Sequence, residues 1–316
     1  MLQENVLSFE ELLVRTPPNK YEISAHGAMM NIYETQCAYI NIYKQAMSEA
    51  ILLSDESTNS IKKLMEIVGK LIDGLIRLIT MAVKKLVGIF KLFQARAKDV
   101  YMNNKDFMHK YGAKLSTMGN ISVDVEGYDM DASKLISKAV TIGGESQSIF
   151  GDAKMIILDG KKYFDENNTL SDKLEELRLL MLNSDDPRLV SNTDAFKKAV
   201  KDKYYGEFKT RTYSVNDALN QIRNYTNNVA SIRSMNDAAT RQGNRDIEEL
   251  NRLKKLMKGN SSYQNPKELI NQLNMLIKYR TQALQDTIYV FETVMQCIDD
   301  TNIQSKAVCI LALQQN

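Results

Sequence analysis

Five cations, Lys63, Lys70, Arg77, Lys84 and Lys91, recur at intervals of seven residues. On a helix this spacing drifts by only about 20° per repeat, so the five trace one slowly turning basic ridge. Such a ridge attracts anions. The chemistry on offer is electrostatic binding of phosphates, on lipid headgroups or on nucleic acid, although for nucleic acid the segment lacks aromatic interleaving and its apolar face is too wide. The same segment carries a wide apolar face that includes Leu71, Leu75, Leu78, Leu86, Phe90 and Phe93. Two readings share this pattern. In the first, the helix is central to a bundle and neighbours cover its apolar face. In the second, the helix lies in a membrane interface, with the lysines at headgroup level.

Other chemistry-bearing residues form weaker patterns. Asp124, Glu126, Asp129 and Asp131 cluster, but calcium loops place their acids at other offsets and close with a Glu, so a solvated acidic loop is expected. Only His26 and His109 are present, too few to build a histidine metal site or a catalytic triad. Gly143-Gly144 and Gly151 are not followed by Gly-Lys-Ser/Thr, so no phosphate loop is expected. Glu175-Glu176 and Glu248-Glu249 read as solvated helix faces. No nucleophile elbow appears. A non-enzymatic protein is therefore expected, with no cofactor, metal or small-molecule substrate.

The elements that must position the ridge follow from composition. The chain has 316 residues, four prolines, no tryptophan and 14 glycines, and is 44% apolar and 25% charged, which points to helices. Net charge is only +2, but residues 1–59 carry three bases against eight acids, and residues 60–98 carry nine bases against two. The acidic block and the basic helix are suited to pack together. Cys37, Cys297 and Cys309 lack framework spacing and are expected to be reduced and buried in a non-secretory protein. Residues 1–13 have no signal-peptide pattern, and no stretch reaches 18 uncharged apolar residues, so no transmembrane helix is expected.

Periodicity places a helix over 25–53, a long basic helix over 60–98, a break at Asn103-Asn104, and a short helix over 105–117. Half of the glycines fall between 112 and 160, and Ile121–Val125 alternates with period two, which predicts a strand. Residues 154–158 suit a second strand or a helix turn. Helices are expected over 169–182 and 193–205. Two long arms, joined by a Gly/Asn/Ser turn that ends at Pro266, predict an antiparallel hairpin over 213–311. The expected fold is mainly α: an elongated helical bundle with a long C-terminal hairpin and a small α+β insert. The expected regions are 1–118, 119–165 and 166–316.

The run from Ile61-Lys-Lys-Leu-Met-Glu-Ile-Val-Gly through Phe90-Lys-Leu-Phe93, then Asn103-Asn-Lys-Asp-Phe-Met-His-Lys-Tyr-Gly112 and the Ile121–Tyr128 strand, resembles virion structural or internal proteins of large tailed bacteriophages of low-GC Gram-positive bacteria. The resemblance covers about residues 25–130. The family's basic helix often carries Trp, which this chain lacks. The resemblance implies a component made in the host cytoplasm and built into the virion in many copies. Its implied partners are itself, as a homo-oligomer, and other virion proteins, with peripheral DNA or membrane contact through 60–98 during delivery. The alternative is a membrane-active helical toxin or pore former, with helix 61–93 sheathed in the soluble state.

Overall fold

The structure is a computed structural model that describes residues 58–118, 121–128, 149–258 and 266–315. The expected helix over 25–53, Cys37, His26, Asp129, Asp131 and the turn before Pro266 lie outside the described residues. The fold is mainly α, as composition and periodicity predict. Three long helices dominate: α1 (Thr58–Thr117), α5 (Val215–Lys258) and α6 (Pro266–Gln315). At 1.5 Å per residue, α1 spans about 90 Å. Shorter elements lie along them: β1 (Ser122–Gly127), α2 (Ile149–Ile157), α3 (Leu170–Leu182), α4 (Thr193–Tyr205) and β2 (Lys209–Ser214).

Paired residues fix the directions of the long helices. Asp73 meets Lys254 at one end of the α1–α5 interface, and Asn104 meets the carbonyl of Ile222 towards the other, so the two helices are antiparallel. Arg96 reaches Asp299 and Asn104 reaches Asn302, so α6 runs parallel to α1. The α5–α6 pair is thus the antiparallel hairpin that the two matched arms predict. Pro266 is the first residue of α6, where its missing N–H costs nothing.

One expected interruption is absent. α1 continues through Asn103-Asn104. Asparagine's helix-propensity cost is well under about 1 kcal/mol. The Asn104 amide turns inward and is fully engaged with Asn302 and Ile222, which outweighs that cost. In α5, the apolar step is disturbed at Gln242-Gly243-Asn244, and the helix runs straight through. There the missing side chain lets α5 approach α1 closely: a Cβ at Gly243 would lie 2.4 Å from Cγ2 of Val83.

The strand over 121–125 forms as β1, with Val123 and Val125 buried and Asp124 and Glu126 exposed. Its antiparallel partner is β2, which pairs Ser122 with Ser214 and Gly127 with Lys209. That partner lies outside the expected 119–165 insert. Its sequence, Lys-Thr-Arg-Thr-Tyr-Ser, has almost no apolar alternation to reveal it. Residues 154–157, left open between strand and helix, belong to α2. α3 and α4 fall within the ranges expected for them. Thr169 and Asp172 form a capping box ahead of α3, and Asn192 accepts from Ala195 N–H ahead of α4.

The apolar core runs along the bundle in three stretches. At one end, Ile67–Ile79 of α1 meet α2, Tyr163-Phe164 and the start of α6. In the middle, Ile89, Phe90 and Phe93 pack with α3, α4 and residues 288–298 of α6. At the far end, Leu115 meets Val123, Val125, Leu219 and Val308.

Candidate functional site

The basic ridge is the first candidate. Lys70, Arg77, Lys84 and Lys91 are all exposed. Lys63 lies on α1, with its side chain outside the described ones. Between residues 70 and 91 these four are the only exposed residues of α1. The reason is a shared period. Val68, Leu75, Ala82 and Ile89 are buried at intervals of seven, and each cation follows one of them by two residues. Two residues are 200° of helix, so the strip points directly away from the buried seam. The same spacing continues to Lys98 and Lys105, both exposed, which the sequence reading did not add to the ridge. Counting on by seven from Lys91 finds them.

The apolar face has a different fate. Leu71, Leu75 and Phe93 are fully covered, and Leu78 and Phe90 are buried. Leu86 is half-buried against the central core. The five buried ones face other elements of the same chain and offer no open lipid- or partner-binding surface in this fold, while Leu86 is partly covered. The physical cause is the width of the face: α5, α6 and the shorter helices cover it from several sides.

α6 supplies the other polar chemistry, which periodicity alone did not reveal. Its buried polar side chains each hold a different element. Gln272 accepts from the N–H groups of Tyr163 and Phe164 and donates to the Phe164 carbonyl. Arg280 pairs with Asp152 of α2. Asp286 pairs with Arg178 of α3 at 2.7 Å. Asp299 accepts from Tyr225 of α5 at 2.6 Å and faces Arg96 of α1 at 3.1 Å. Asp300 accepts from Tyr205 at the end of α4. Burial raises the Asp299 carboxyl to about 6, against lowering by Arg96 and the Tyr225 hydrogen bond. Burial also raises Asp300, and it pushes the Cys297 thiol up to about 12. Cys297 and Cys309 are free and buried, as expected. A thiol held protonated is a poor nucleophile. These groups act as fasteners.

Two concavities lie between the helices. A void of about 110 Å³ lies between α1, α3, α5 and α6 beside Gly243. Arg280 pairs with Asp152 through Nη2 while its buried Nε has no partner, and Asp246 is engaged with the Ile149 N–H and Gln242. A cleft of about 490 Å³ is lined by Tyr128, Tyr205, Glu292 and Asp300. There the Tyr205 phenol is held protonated by burial, and its O–H donates a hydrogen bond to Asp300.

Asp124 is bonded to Thr212 on the exposed face of the sheet, and His109 is exposed on α1. Among the described residues, no group of three His, Cys, Asp or Glu is placed to hold a metal ion. No described helix is long and apolar enough to cross a membrane. Comparison with family models, curated proteins and solved structures finds no match to this chain.

Proposed function

We propose that this chain is a structural component of a tailed-bacteriophage particle, acting through helix-mediated assembly with its own copies and with neighbouring virion proteins. The observation that carries this reading is the division of α1. Its apolar face is used up in building a long rod, while a line of single cations remains outward. Rigid helical rods with charged edges suit repetitive assembly, and Leu92, Tyr101 and Met102, exposed further along α1, give neighbouring helices apolar contacts. The buried polar residues of α6 serve structural pairing, which agrees with a non-enzymatic role. Mass spectrometry of purified particles tests the reading. The protein should be present in many copies, and its absence would overturn the assignment.

A second reading, a sheathed membrane-active helix, must account for the same covered Leu71, Leu75 and Leu78. Releasing α1 requires breaking its contacts with both α5 and α6 along the rod. Flotation with anionic liposomes separates the two readings. Binding that survives high salt favours insertion, and lack of such binding favours assembly.

A further inference from the structure

We propose that the void between α1, α3, α5 and α6 is a binding site for a small, neutral, apolar molecule that carries one hydrogen-bond-accepting oxygen. The site goes beyond the assembly role and does not depend on it.

Shape and wall chemistry carry the inference. Close-packed interiors leave few gaps larger than a water molecule, and this one has about 110 Å³. Short side chains from three helices line it, Ala82 of α1, Ala239 of α5 and Ala283 of α6. Leu180 of α3 also lines it and is 47% exposed, so the void reaches the surface beside α3. An apolar cavity of about 150 Å³ takes up benzene, so this one suits a ring or chain of about five or six heavy atoms. Water is a poor occupant. A buried water needs about two to four polar partners, and of the lining residues only Gln242, Asp246, Arg280 and Thr287 carry polar side chains.

Those four residues select the head of the ligand. Asp246 accepts from the Ile149 N–H and from Gln242, and the Thr287 hydroxyl donates to the Ala283 carbonyl. Arg280 has 7% of its side chain exposed, and its Nη2 pairs with Asp152. Its Nε is left without a partner. A buried donor without an acceptor is costly, and an oxygen brought in by the ligand removes that cost. Nε is itself covered, so seating the oxygen includes a small turn of the guanidinium. The ligand is neutral for a reason of charge. Asp152 already balances Arg280, and the Asp246 carboxylate borders the same void, so a second anion meets no free positive charge there.

The test is a ligand-observed NMR titration of the full-length protein with three probes of one size: cyclopentanone, cyclopentane and cyclopentanecarboxylate. The ketone and the hydrocarbon should bind saturably, and the carboxylate should not. Arg280→Lys keeps a cation for Asp152 but removes Nε. It should weaken the ketone about tenfold or more and leave the hydrocarbon unchanged, which shows at once that the void is intact. Ala239→Leu fills the void and should abolish binding of both. Circular dichroism confirms that each variant is folded, and Ala239→Val replaces the larger change if that one unfolds. Absence of saturable ketone binding overturns the proposal. So does ketone binding that survives the filled void, or that is unchanged in Arg280→Lys. Tighter binding of the carboxylate than of the ketone overturns the neutral class. None of these outcomes bears on whether the chain is found in particles.

Discussion

Asn104 of α1 and Asn302 of α6 exchange side-chain hydrogen bonds at 2.8 and 3.2 Å, each with about 5% or less of its surface exposed. Asn104 also donates to the Ile222 carbonyl, so one amide joins all three long helices. Apolar packing between long helices tolerates sliding by a turn. A paired amide does not, because any slip leaves two buried polar groups unsatisfied.

Asn302→Leu should therefore cost about 1–3 kcal/mol, because Asn104 is left without its side-chain partner. Asn104→Leu/Asn302→Leu should cost less than the sum of the two single changes. Urea denaturation of the three variants measures the coupling, and additive losses would refute it.

Gly243 faces Val83 with room for no side chain. Gly243→Ala gains about 1 kcal/mol of helix propensity. It also forces a methyl against a β-branched side chain that is rigid in a helix, and such overpacking costs about 1–3 kcal/mol. Net destabilisation is expected, with recovery in Gly243→Ala/Val83→Ala. Thermal melts of both variants decide it.

Asp299 gives stability a pH dependence. Its folded value of about 6 lies above its ordinary value of 3.8, because burial opposes the charge more than Arg96 and Tyr225 favour it. The folded state therefore binds this proton more tightly than the unfolded chain. The contribution to stability is full below about pH 4 and is lost as pH rises through about 6. Between pH 5 and 7.5 this single group accounts for about 1–2 kcal/mol. Asp299→Asn should remove that portion of the difference in urea midpoints measured at the two pH values.

The two faces of α1 should respond oppositely to substitution. Leu75 is fully buried, so Leu75→Ala should cost about 2–5 kcal/mol. Arg77 is exposed on the strip, so Arg77→Gln should change stability by no more than about 0.5 kcal/mol. Chemical denaturation of the pair checks that the apolar face is core and that the cations are free for binding.

Asp286 and Arg178 form a buried pair, with side chains 3% and 7% exposed. Asp286→Ala leaves a buried guanidinium that retains Thr193 as a partner and should cost about 3–5 kcal/mol. Asp286→Ala/Arg178→Met should recover much of that loss, as read from equilibrium unfolding.

Much of this molecule follows from local rules. Steps of three and four residues mark α1, α3, α4, α5 and α6, because a helix buries one face whatever it packs against. Thr169, Asn192 and Pro266 mark starts because capping is a property of a few neighbouring residues. The basic ridge follows from counting by seven. The rest depended on partners distant in sequence. β2 pairs with β1 from more than 80 residues away and carries almost no apolar alternation of its own. Asn104 resembles a helix break until its partner Asn302 supplies more than propensity takes away, and Gly243 is explained only by the close approach of Val83. The polar residues of α6 look like an ordinary solvated face, yet Asp286 and Asp299 are buried because Arg178 and Tyr225 reach them. Sequence determined that α1 has an apolar face and a cationic one. Only the tertiary structure decided that the chain itself covers the first and leaves the second to solvent, because burial depends on which elements pack alongside, and no local pattern records that.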